Sequence, residues 1–141
     1  MKKNGRLPIE FIHDYKRLDY PDKKLKAIGE KIFDAEKIFP QKMVTVVLCS
    51  NYKIKKLNAD YRNINKPTDV LAFPFNDSDF LGEIYISLQR CKSQAPRYGN
   101  AYEDEVARVF IHGMFHLLGF THDTEKERIE MEKRENKYFC L

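Results

Sequence analysis

Three cysteines in 141 residues, odd in number and widely spaced at Cys49, Cys91 and Cys140, exclude a disulfide-stapled scaffold. They form no C-x-x-C pair either, so a thiolate zinc site has no framework. Reduced thiols without a disulfide partner are the expectation, mostly buried as free cysteines are. Cys140 stands second from the end, the wrong place for a prenylation signal. No apolar run approaches the roughly 20 residues needed to cross a bilayer. The N-terminus, M-K-K-N-G-R-L-P, is basic but lacks the apolar segment of a secretion signal. These absences point to the cytoplasm and away from the membrane. Repeats, low-complexity tracts and long linkers are also missing, so residues 1–141 read as a single domain. With 43% hydrophobic and 33% charged residues, the chain has the composition of a folded globular protein.

The net charge of +4 is modest but unevenly spread. Residues 1–100 carry 19 basic and 12 acidic side chains, whereas residues 101–141 carry 6 and 9. A basic body beside an acidic end suits a polyanion lying along the body, although solvated surface lysine explains the same numbers.

Hydrophobic spacing supplies the elements. Ile9 to His13 reads as a strand. Leu25, Ile28, Ile32, Ala35 and Phe39 recur at helical spacing, predicting an amphipathic helix from Pro21 to Phe39 that Pro40 stops. The run M-V-T-V-V-L-C, Met43 to Cys49, predicts a buried strand. Ser50 can cap a second helix running to Tyr61, and R-N-I-N-K-P-T-D is a polar turn region. Val70–Phe73, ended by Pro74, and Leu81–Ile86 read as a hairpin, followed by a short helix over Leu88–Gln94. Asn100 is the expected N-cap of the next helix, with Glu103, Asp104 and Glu105 favouring its positive end. Thr124 and Glu127 predict a capping box for a last, mostly charged and solvated helix. The order β-α-β-α-β-β-α-α-α predicts an α+β domain, a small mixed sheet of about four strands packed by about five helices.

What the chain does have is I-H-G-M-F-H-L-L-G-F-T-H-D, Ile111 to Asp123, with three of its four histidines. His112 and His116, four apart, project from one helix face, at the edge of the core-facing stripe Val106, Val109, Phe110, Gly113 and Leu117. Gly119 supplies a left-handed helix end, so the chain can turn back and bring His122 to the pair. Three converging imidazoles leave one tetrahedral position open, as in a catalytic zinc site, although imidazole also accepts nickel, copper and iron. His13, alone in a strand, is expected to be structural. The spacing is that of H-E-x-x-H-x-x-G-x-x-H, the zinc-protease pattern, except that Gly113 stands where those enzymes keep their glutamate base. A peptidase needs that carboxylate. A phosphodiester suits the site better, because metal and a nearby cation can meet its developing charge.

H-G-M-F-H-L-L-G-F-T-H-D resembles the signature H-G-x-L-H-L-x-G-Y-D-H-D of the YbeY family, rRNA maturation factors also described as single-strand endoribonucleases. Y-R-N-I-N-K-P-T-D-V-L-A-F-P-F, from Tyr61 to Phe75, resembles that family's Y-R-x-x-D-K-P-T-D-V-L-S-F-P. L-G-E-I-Y-I-S, from Leu81 to Ser87, resembles its L-G-D-I-x-I-S. The three occur in the family's order. Phe115, Phe120, Thr121, Asn65, Ala72 and Glu83 depart from it, and none removes a metal ligand. Thr121 is the departure that bears on metal affinity, through the orientation of a histidine.

The resemblance implies a zincin-like histidine helix and a zinc-dependent endoribonuclease of ribosomal RNA precursors, working with the small ribosomal subunit and assembly factors. It also implies that Arg62 is functional. From the residues alone, Arg62 and Lys66 sit in a polar loop suited to phosphate contacts, with a helix-capping surface arginine as the plain alternative. Glu105, seven residues before His112, can accept from a metal-ligating histidine or simply serve the helix dipole. Two other functions stay open. A metallopeptidase or amidohydrolase would draw its base from elsewhere, such as Glu83 or Asp123. A non-catalytic assembly protein would use the metal to hold its fold.

Overall fold

The computed structural model describes residues 9–20, 22–37, 42–75 and 77–139. Its elements follow the expected order: β1 (Ile9–His13), α1 (Asp22–Ala35), β2 (Met43–Cys49), α2 (Asn51–Arg62), β3 (Val70–Pro74), β4 (Phe80–Ser87), α3 (Leu88–Gln94), α4 (Tyr102–Leu117) and α5 (Glu125–Phe139). The four strands form one mixed sheet in the order β1-β2-β4-β3. β1, β2 and β4 run parallel, and β3 returns antiparallel along β4 as an edge strand. Pro74 closes β3 at that edge, where its missing N–H costs little. This is an α+β domain.

The pleat divides the core. One sheet face, carrying Val44, Val46, Leu48, Ile84 and Ile86, packs with α1, α3 and α4 into the main cluster. The other carries Val47, Cys49 and Leu71, covered by Ile54 of α2. Ser50 caps α2 by accepting from the Lys53 N–H at 3.1 Å. Along α1, Leu25, Ile28 and Ile32 are buried as their spacing predicts, but the stripe continues to Phe33 while Ala35 is exposed. Pro21, Phe39, Pro40, Cys140 and the N-terminal eight residues lie outside the described part.

α4 is the central helix, with ten buried residues over its length. Gly113 lets it approach the sheet closely: a Cβ there would meet Ile84 Cγ2 at 2.8 Å and Val70 Cγ2 at 3.2 Å. Asn100 is not its N-cap. That position is Ala101, with no side-chain cap, and the Asn100 amide donates instead to Glu105 at 2.9 Å. Helix-end chemistry lost to a buried carboxylate one turn away. α5 is charged as expected, yet Met131 and Tyr138 anchor it into the core beside α4. Among the described residues Cys49 and Cys91 are free thiols, and burial pushes the Cys49 thiol up to about 12. No helix of the described residues is long and apolar enough to cross a membrane. His13 is structural, hydrogen-bonded to the Leu18 carbonyl at 3.2 Å and packed on Tyr20.

Candidate metal centre

The end of α4 builds the site. Gly119 takes φ +96°, and the Gly119 and Phe120 N–H groups donate to the carbonyls of His116 and Phe115, closing the helix as a Schellman turn. Phe120 packs on Phe115 with ring centroids 5.4 Å apart, the hydrophobic contact that accompanies this turn. The chain then reverses into α5. The Thr124 N–H donates to Glu127, and the Glu127 N–H to the Thr124 hydroxyl, both at 3.1 Å, which is the expected capping box. Thr121 is hydrogen-bonded to the same Glu127 carboxylate. His122 sits in the loop held by these two devices.

One ligand atom each from His112, His116 and His122 falls within a span of 4.8 Å. The Nε2 atoms of His112 and His116 are 3.0 Å apart. Two imidazoles on one tetrahedral zinc, with Zn–N near 2.0–2.1 Å, would stand about 3.3 Å apart, so this pair needs little movement to share an ion. Burial, with His112 and His122 alongside, lowers the His116 imidazole to about 4. It is therefore neutral near pH 7, with a lone pair to donate. The three histidines can hold a metal ion.

Two supporting contacts are not evident from sequence spacing. Glu135 of α5 faces His112, Oε2 to Nδ1 at 2.5 Å, so Nδ1 carries the proton and Nε2 is turned toward its partner histidines. His116 has a backbone hydrogen bond with Phe120. Glu135 lies 23 residues from His112, beyond any local periodicity; only the docking of α5 brings it in. Glu105, the sequence candidate for that role, is fully buried elsewhere, accepting from Gln94, Asn100 and Arg108. Burial pushes its carboxyl up, but these hydrogen bonds win and hold it below the usual range.

A cleft of about 600 Å³ opens over the histidines, walled by the β3 edge, Thr121 and Asp123, and includes Arg62. Arg62 is exposed at the last turn of α2, while Asn63 in the left-handed region caps that helix. No described residue forms an ion pair with Arg62. Lys66 is exposed and does not line this cleft; its carbonyl accepts from Asn58. Glu83 lies on the opposite sheet face, hydrogen-bonded by the Tyr85 hydroxyl and beside Tyr61, which removes it as a base for this centre. The pleat is the reason, since Gly82 and Ile84 of β4 take the face toward α4. Asp123 remains at the cleft wall.

The family model described as Endoribonuclease YbeY matches residues 11–140. An Endoribonuclease YbeY of Acholeplasma laidlawii is 38% identical, with 89% of each chain covered. One of Acetivibrio thermocellus is 37% identical over 90% of this chain and 91% of that protein. A solution structure of a Thermotoga maritima protein aligns with a TM-score of 0.64 at 34% identity, covering 93% of this chain and 86% of the other. With its histidine helix, its short loop to His122 and a match spanning nearly the whole domain, this chain belongs to the endoribonuclease YbeY family.

Proposed function

We propose that this protein is a zinc-dependent endoribonuclease that cuts single-stranded RNA, with ribosomal RNA precursors as substrate and the small ribosomal subunit and its assembly factors as partners in the cytoplasm. The observation that carries this reading is the three-imidazole cluster opening into a cleft that also holds Arg62, which makes no ion pair among the described residues. The family's printed name agrees with it. His112, His116 and His122 are the residues that would hold the ion. A zinc ion bound there would supply Lewis acidity to a phosphate and a water acidic enough to react near neutral pH. Arg62 draws a phosphate into the cleft and offsets charge that develops on it. Lys66, further along the exposed loop, attracts flanking phosphates through solvent. Glu135 holds the His112 ring in the ligating tautomer.

Cleavage of a labelled single-stranded RNA, before and after chelation and zinc readdition, tests the reading directly. Activity that follows zinc is expected. Arg62→Ala should lower it about a hundredfold with zinc content unchanged. The β3 edge would also suit an extended peptide, so a denatured protein is assayed in parallel. Metal-dependent proteolysis with intact RNA would replace the nuclease by a peptidase. For Glu135→Ala, zinc affinity measured against a competing chelator should fall about 10- to 100-fold. Unchanged affinity would leave His112 without need of its carboxylate.

A further inference from the structure

His112 and His122 line not one opening but two. Between α4 and α5, a second cavity of about 600 Å³, which Arg62 does not line, includes Tyr98, Arg108, Met131 and Asn136. Arg108 is held rigidly at its wall. Its Nε donates to Glu105 Oε1 at 3.0 Å, its Nη2 to Oε2 at 2.6 Å, and its guanidinium stands 4.0 Å from the centroid of the Tyr98 ring. Buried Gln94 donates to both Glu105, at 2.7 Å, and Asp69, at 3.0 Å. Asp69 lines the Arg62 cleft, so one polar network ties the walls of both openings together.

The cationic charges in this cavity are already matched. Glu105 neutralises Arg108, Arg128 lies 3.4 Å from Glu132, and Glu135 is engaged by His112. A phosphate gains nothing there that the Arg62 cleft does not offer better. What remains is the Tyr98 ring with the Arg108 guanidinium over it, the Asn136 amide and apolar Met131 in the lining. Those groups suit a nucleobase: stacking tolerates any base, and the amide can meet its edge.

We propose that this cavity is a base-binding subsite for the nucleotide adjoining the cleaved bond, with the RNA strand running from the Arg62 cleft across the three histidines and onto Tyr98 and Arg108. This rests on the endoribonuclease reading above. Arg108 is a poor probe, because its loss strands a buried carboxylate. Tyr98 is 57% exposed and can be changed without disturbing the core.

The test is steady-state cleavage by the zinc-loaded protein of a defined single-stranded oligoribonucleotide, intact or with an abasic residue on either side of the cleaved bond. Tyr98→Ala should raise KM roughly tenfold on intact RNA, from the size of a base–aromatic stack, with kcat and zinc content little changed. Tyr98→Phe should restore the wild-type KM. One abasic position should raise the wild-type KM by a similar factor and add nothing in Tyr98→Ala. An unchanged KM in Tyr98→Ala, or an abasic penalty equal in both proteins, overturns the subsite while leaving the nuclease in place. A wild-type protein that cleaves no single-stranded RNA overturns the nuclease reading and the subsite together.

Discussion

His116→Ala is expected to lose zinc from the purified protein and to lower RNA cleavage by about a thousandfold or more. Two imidazoles bind an ion far less tightly than three, and a Lewis acid at the reacting phosphate contributes several kcal/mol, each 1.4 kcal/mol being tenfold in rate. The fold should survive. His116 faces the cleft rather than the centre of the main cluster, and α4 stays anchored by Phe110, Met114, Phe115 and Leu117. Elemental analysis, circular dichroism and cleavage of the same single-stranded RNA check the three parts together. Activity persisting in the zinc-free variant would remove the metal from the mechanism. A variant that unfolds would favour the third reading, a metal-stabilised assembly protein without chemistry.

Gly113→Glu, which restores the peptidase pattern on paper, should unfold or severely destabilise the domain and create no peptidase. A Cβ at this position already falls 2.8 Å from Ile84 Cγ2, and 3.2 Å from Val70 Cγ2. Neither atom is the loose end of a long side chain, so α4 must lift from the sheet, at a cost of about 1–3 kcal/mol for overpacking alone. The carboxylate would then be aimed between β3 and β4 with no partner, adding several kcal/mol more. Thermal melts of Gly113→Ala and Gly113→Glu separate the two contributions. A Glu variant that melts with the wild type would mean that α4 can pivot and that the helix–sheet distance is not set by this glycine. The absence of the protease glutamate thus has a packing cause as well as a chemical one.

The element order was legible because each segment carries its own punctuation. Ser50, Gly119 and the Thr124–Glu127 pair do in the structure what their local chemistry predicts. Asn100 failed as a cap because the helix starts one residue later, at Ala101, and the Asn100 amide is turned to donate to buried Glu105. Ala35 failed as a core residue because helical periodicity marks a face without saying where the surface beneath it ends. α5 looked solvated because only Met131 and Tyr138 of its residues are buried, and two contacts make a weak periodic signal.

By itself the sequence determined the three imidazoles, the helix that carries two of them and the turn that returns the third. Those follow from spacing and helix-end chemistry within a dozen residues. The tertiary structure alone decided which carboxylate orients His112, why position 113 is glycine, and that Arg62 shares a cleft with the histidines while Glu83 does not. Each of these depends on how α4 packs against the sheet and α5, on distances between segments far apart in the chain. Local residue patterns encode the shape of an element; only the packed domain sets which elements face each other across a site.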